Sequence, residues 1–265
     1  MADSALTIGI IGGSGMLGRA IGAALLERGG IAPDRLWIAN RSGRLQGEGP
    51  LGRARVTARN QQLADACDVI LLSVPPDKAA QLGISAPGKL VVSVMAGISL
   101  DQIAQITGAR RAVRAMSSPA AALGVAFSPW VASPAVTDGD RAALSKIFGA
   151  CGATAEVSSE AMVETFTALT GPVPGFVAYF AECMASFATR QGIPEDVADL
   201  AIRQLFLAAG QMMATGDATP ADHVQEMVDY AGTTAAGLTA MRASALERCV
   251  AEGLQAAVDK TRAMG

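Results

Sequence analysis

The sequence predicts an α/β domain built on a parallel sheet, followed by an all-helical domain. Three observations carry that prediction. Short apolar runs alternate with helical patterns up to about residue 157. The first run ends in a glycine turn, Gly13-Ser14-Gly15-Met16-Leu17-Gly18, which opens an amphipathic segment. Strand signals stop at about Ser158, and the apolar spacing beyond it is helical.

The spacing predicts strands at 6–11, 35–39, 53–57, 68–74, 89–94, 111–115, 124–128 and 153–157. Helices are expected at 17–28, 59–65, 76–82, 100–106 and 138–149. Val69-Ile70-Leu71-Leu72 and Leu90-Val91-Val92 are apolar throughout, as strands covered on both faces should be. Farther on, Phe176, Phe180, Met184 and Phe187 recur at helical spacing over 174–190. Gly192 ends that helix, and Pro194 stands where the next, about 195–214, can begin. Thr219-Pro220-Ala221-Asp222 reads as a capped helix start, and a last helix is expected from Thr234 to Thr261. The expected domains are therefore 1–157 and 158–265.

The helices at 174–190 and 195–214 are apolar around much of their circumference. Such helices need burial on more than one side. A second subunit supplies it in a homodimer; in a monomer the first domain would have to cover them.

Composition narrows the function. The 265 residues are 51% hydrophobic and only 4% aromatic, with a net charge of −3. Without a basic stripe, nucleic acid is not an expected partner. No apolar run reaches the 18 or more residues of a membrane span, so no membrane partner is expected. Residues 1–5, Met-Ala-Asp-Ser-Ala, do not read as a signal peptide. Cys67, Cys151, Cys183 and Cys249 lack C-x-x-C spacing and read as reduced thiols of a cytoplasmic protein. His223 is the only histidine, and no cluster of metal-ligand type exists, so no metal is expected.

The G-x-G-x-x-G turn between a strand and a helix is the fingerprint of a dinucleotide site. Gly13 would make the tight turn, Gly15 would let backbone approach the pyrophosphate, and Gly18 would let helix and strand pack closely. The pyrophosphate would sit on the helix N-terminus, against the backbone of Ser14, Met16 and Leu17. NAD sites of this kind usually place an acid at the end of the second strand. Here that strand ends in Asn40-Arg41-Ser42-Gly43-Arg44. Guanidinium groups make charge-assisted bonds to phosphate, so the expected cofactor is NADP. The alternative is that Arg41 and Arg44 are solvated loop charges.

Several segments together resemble the pyrroline-5-carboxylate reductase family. They are Asn40-Arg41-Ser42, Val91 to Ser99, Thr167-Ala168-Leu169-Thr170-Gly171, Gln191-Gly192-Ile193-Pro194, and Ala231 to Leu238. Their order and spacing extend over nearly the whole chain. The resemblance implies a Rossmann-type NADP-binding domain followed by a helical dimerisation domain. It implies an oxidoreductase of proline biosynthesis that transfers hydride from NADPH to the imine carbon of 1-pyrroline-5-carboxylate. It places Val74-Pro75, Ala96-Gly97, Ser117 and Ser118 at the cofactor. Gly232, Thr233 and Thr234 would hold the substrate carboxylate, with the Thr234 hydroxyl at the ring nitrogen. Thr170 and Gly171 would line the same pocket.

The chain departs from the family pattern at Met16, usually Asn, and at Met116-Ser117-Ser118-Pro119, usually M-P-N-T-P. It departs again at Thr170 to Gly175, and at Asp229-Tyr230, usually S-P. These changes keep two alternatives open: reduction of a different imine or carbonyl, or an NADP-binding sensor or partner without turnover. Thr233 and Thr234 are either substrate ligands or only a helix cap. Tyr230 supplies a catalytic hydroxyl or packs. Asp229 either points away or selects a neutral or cationic imine. Glu164 and Glu226 read as helix-surface charges, and His223 as a surface or interface residue.

Overall fold

The computed structural model describes residues 6–45 and 49–263; the reading of residues 1–5 lies outside them. Eight strands form one sheet in the order β3-β2-β1-β4-β5-β6-β7-β8. They are β1 (Ile8–Ile11), β2 (Leu36–Ala39), β3 (Arg55–Thr57), β4 (Val69–Leu72), β5 (Leu90–Ser93), β6 (Arg111–Ala115), β7 (Ala126–Ala132) and β8 (Gly152–Glu156). The strand order reverses at β1, between β2 and β4, which is the switch point where such sheets bind ligands.

Alternate residues of a strand face opposite sides, and both sides are covered here. On β4, Val69 and Leu71 join one apolar cluster with Ile21 and Leu25 of α1 (Met16–Glu27) and with Leu144, Ile147 and Phe148 of α4 (Asp138–Gly149). Ile70 and Leu72 join the other, with Leu63 of α2 (Asn60–Ala66) and Ile103 of α3 (Leu100–Thr107). That double coverage is why the run Val69–Leu72 shows no alternation.

Four expectations are corrected. The sheet is not wholly parallel, because β6 and β7 pair antiparallel. Their connection holds only a short 3-10 turn, Pro119–Leu123, too little for a crossover. β7 runs beyond 128 through Pro129, whose carbonyl accepts the Met116 N–H at 3.0 Å. The segment expected as a helix at 76–82 is a 3-10 turn, Pro76–Gln81, bounded by Pro75 before it and by Gly83 at φ +59° after it. The single helix expected over 234–261 is two, α9 (Thr233–Arg242) and α10 (Leu246–Arg262). Between them the Ser244 hydroxyl donates to Met241 O at 2.7 Å and accepts the Leu246 N–H at 3.2 Å, competing with the helix.

The chain divides into two compact units, one comprising residues up to 173 with those from 257 onward, the other 174–256. α5 (Glu160–Leu169), which follows the expected boundary at 157/158, packs on β6 and β7 and sets Phe166 against Phe127 at 5.2 Å. The second unit holds α6 (Gly175–Arg190), α7 (Glu195–Ala214), α8 (Pro220–Asp229), α9 and most of α10. Within it α6 pairs with α7, Phe180 meeting Phe206 edge-on at 6.3 Å, and α8 pairs with α9. Its only buried hydrophobic residues are Ala198 and Ala235.

Candidate active site

Parallel pairing brings the C-terminal ends of the strands to one edge. Ile11 pairs with Ala39 and Leu72, Ala39 with Thr57, and Leu72 with Ser93. The segments after β1, β2, β4, β5 and β6 therefore leave the sheet side by side. Each holds expected cofactor residues.

After β1 the chain turns at Gly12, with φ +84°. A β-carbon there would lie 2.2 Å from Ser73 O. The turn freedom expected at Gly13 thus belongs to Gly12, and the doubled glycine was its signal. Gly13 is needed for a different reason, since its β-carbon would lie 2.8 Å from Ile38 Cγ2. Gly18 fills its expected role, with Gly12 O and Gly13 Cα where its side chain would be. Gly15 is the N-cap of α1, no side chain caps that end, and its first turn holds no acid. Ser14, Gly15 and Met16 are exposed, so the first N–H groups of α1 are open to an anion. The Met16 side chain, 74% exposed, lines a cavity of about 460 Å³ with Arg19, Leu45, Pro50 and Pro119. Leu17 is half-buried.

After β2, Asn40 organises the turn. Its side chain accepts from the Ser42 N–H at 3.1 Å and hydroxyl at 3.0 Å, and donates to Arg44 O at 2.8 Å. Arg41 and Arg44 are exposed, and neither forms an ion pair among the described residues. An acid-free turn with two free guanidinium groups fits a phosphate.

After β4, Ser73 N–H donates to Ile11 O at 2.9 Å, which sets Val74 beside Gly12 and leaves Pro75 exposed. After β5, Ala96 is half-buried and Gly97 turns at φ +75° just before α3. After β6, Ser117 is buried and accepts the Ser128 hydroxyl at 2.9 Å. Ser118 is 1% exposed, and its hydroxyl has no partner among the described residues.

Sequence reasoning missed the support beneath this segment. Arg114 on β6 is 4% exposed and reaches Glu160 at 2.9 Å and Glu164 at 3.2 Å, both on α5. Glu160 also accepts the Leu100 N–H at 3.0 Å, and Glu164 faces Arg262 at 3.5 Å. Glu164 is therefore part of a clamp and not a plain surface charge. Only a buried position for Arg114 reveals this, and periodicity in a short strand does not specify it. At the other end of α5, Gly171 is packed against Met116, where a β-carbon would come within 2.3 Å of Met116 Cε. The Thr170 hydroxyl donates to Phe166 O at 3.0 Å and keeps its lone pairs for a donor.

In the second unit, α9 begins at Thr233 with Gly232 as N-cap. No side chain caps it, and its first turn holds no acid. Thr233 and Thr234 are exposed, and neither hydroxyl forms a hydrogen bond among the described residues. The capping alternative is thereby removed. Ala231, just before, is the one non-glycine residue at positive φ, +58°, among the described residues. Asp229 accepts from Gln225 Nε2 at 2.8 Å and is held along α8. Tyr230 is 83% exposed, so it does not pack within this chain. Glu226 is exposed and His223 half-buried. No thiol competes for chemistry at the sheet, because burial pushes Cys67 up to about 12 and Cys151 to about 11.

A doubly wound sheet with a glycine turn at its switch point defines a dinucleotide-binding protein of Rossmann type, here joined to a helical unit. A family model described as NADP oxidoreductase, coenzyme F420-dependent, matches residues 7–97, and one described as pyrroline-5-carboxylate reductase dimerisation matches 160–264. The pyrroline-5-carboxylate reductase of Vibrio alginolyticus is 30% identical over 260 residues, 95% of each chain. That of Synechocystis is 28% identical over 265 residues, 98% of each. Among solved structures, a pyrroline-5-carboxylate reductase from Coxiella burnetii superposes with a TM-score of 0.88 at 24% identity, covering 99% of both chains. One from Plasmodium falciparum with NADP bound gives 0.80 at 22%, covering 98% of both. The chain belongs to the pyrroline-5-carboxylate reductase family.

Proposed function

We propose that the protein is a cytoplasmic homodimer that reduces 1-pyrroline-5-carboxylate to proline with NADPH. The observation that carries this reading is the open α1 N-terminus beside the acid-free Asn40–Arg44 turn. The kinship with the Vibrio and Synechocystis reductases supports the substrate. NADPH supplies the hydride. The backbone around Gly13, Ser14, Gly15, Met16, Leu17 and Gly18 holds the pyrophosphate, while Asn40, Arg41, Ser42 and Arg44 hold the 2′-phosphate. Val74, Pro75, Ala96, Gly97, Ser117 and Ser118 contact the rest of the cofactor, with the unpartnered Ser118 hydroxyl the group most in need of a ligand.

The substrate carboxylate lies on the N–H groups at Gly232, Thr233 and Thr234, where the helix dipole favours an anion. Asp229 does not oppose it directly, since Gln225 draws that carboxylate back along α8. The Thr234 hydroxyl accepts a hydrogen bond from the protonated ring nitrogen and fixes the imine carbon for attack. A protonated imine is already electrophilic, so orientation matters more than a strong acid. The exposed Tyr230 hydroxyl, just before this helix start, is a second polar group for the substrate.

The test is NADPH oxidation driven by pyrroline-5-carboxylate. Because Thr234 caps nothing, Thr234→Ala should leave the unfolding midpoint unchanged and lower turnover by about tenfold, the worth of one good hydrogen bond. Unchanged turnover per folded enzyme would defeat the assignment.

A further inference from the structure

We infer that Arg59 is a third cationic arm of the 2′-phosphate site and helps set the preference for NADPH over NADH, an inference that rests on the nucleotide reading above. Ala39 and Thr57 pair in register, and the pairing continues one step beyond the strands, where Asn40 N–H donates to Thr57 O at 3.2 Å. Gly43 folds back onto the next residue so closely that a β-carbon on it would lie 3.2 Å from Ala58 Cβ. Arg59 follows at once. Arg41, Arg44 and Arg59 therefore rise from one patch at the C-terminal edge of β2 and β3.

The backbone of Arg59 is held in place and its side chain is only lightly engaged. Its N–H donates to Thr57 Oγ1 at 3.1 Å, and that hydroxyl donates to Gln62 Oε1 at 2.7 Å. Arg59 Nε meets only this already engaged oxygen, at 3.4 Å. The side chain is exposed and forms no ion pair among the described residues. Arg55, the other arginine of this stretch, is committed elsewhere. It begins β3 at the opposite edge, and its guanidinium lies over the Trp37 ring at 5.5 Å. No Asp or Glu occurs in 40–45 or 57–62. Asp65 lines the same pocket as Arg59 but accepts from Gln61. Three guanidinium groups with no ion-pair partner among the described residues match a doubly charged phosphate monoester and add nothing for a ribose hydroxyl.

Calorimetric titration of wild type and Arg59→Gln with NADPH, NADH and 2′,5′-ADP tests this without turnover. Loss of one charge-assisted contact should raise the Kd for NADPH and for 2′,5′-ADP about tenfold and leave NADH unchanged. The NADPH affinity of the variant should also fall less steeply with salt, and Arg59→Lys should lie between the two. Equal weakening of NADPH and NADH, or no change in either, overturns the inference. If wild type itself binds NADPH and NADH alike, the phosphate reading of the whole turn fails; if it discriminates and Arg59→Gln still does so fully, only the role of Arg59 fails.

Discussion

Phe148 and Phe187 are the same residue with opposite fates. Phe148 on α4 is 0% exposed and packs under the sheet with Leu144 and Ile147. Phe187 on α6 is 59% exposed, as are Leu200 at 69% and Leu207 at 54% on α7. The first unit closes two apolar clusters on itself, one on each face of the sheet. The second is equally apolar in sequence and has almost nothing buried within one chain. Large contiguous apolar surfaces of this kind are interaction sites. Apolar content alone therefore does not say where a core will be; layers do. A sheet sandwiched between helices is complete in one subunit, whereas helix pairs with exposed apolar faces need another layer to cover them.

The difference can be broken from either side. Phe148→Ala should cost roughly 3–5 kcal/mol in denaturant unfolding, with no dependence on protein concentration, because its partners all lie in the same unit. A concentration-dependent midpoint for that variant would mean the first unit is not self-sufficient. The paired change Leu200→Asp with Leu207→Asp should weaken self-association at least about tenfold, read by sedimentation, with the stability of the first unit shifted by no more than about 0.5 kcal/mol. Loss of the first unit's stability would contradict the division.

A smaller effect sharpens the account of the first unit. Burial opposes ionisation of Asp140, but the Thr137 N–H and hydroxyl and the Arg111 guanidinium outweigh it and hold the carboxyl below its ordinary value of 3.8. Its contribution is then present at neutral pH and lost as the pH falls below that value. Asp140→Asn should cost about 1 kcal/mol at pH 7 and flatten the stability profile below pH 4. An unchanged acid limb would remove Asp140 from that role.

Much of this was legible in the sequence, for identifiable reasons. Continuous apolar runs marked β4 and β5 because both faces are covered, and Gly15 and Gly18 marked the turn because their crowding is local. Asn40-Arg41-Ser42 was legible because it follows its strand directly. What escaped depended on distant partners. Gly12 needs its freedom because of Ser73, sixty-one positions later. Glu164 looked solvated because Arg114, fifty positions earlier, was not known to be buried. The second half of β7 was hidden by a proline within the strand, Pro129. The break at Ser244 depends on one hydroxyl at a position that helical spacing tolerates.

The most direct measurement is light scattering after size exclusion across a dilution series, with pyrroline-5-carboxylate-dependent NADPH oxidation followed in the same samples. A self-associated protein whose specific activity falls as it dissociates is the predicted result. A stable monomer with full activity would contradict it.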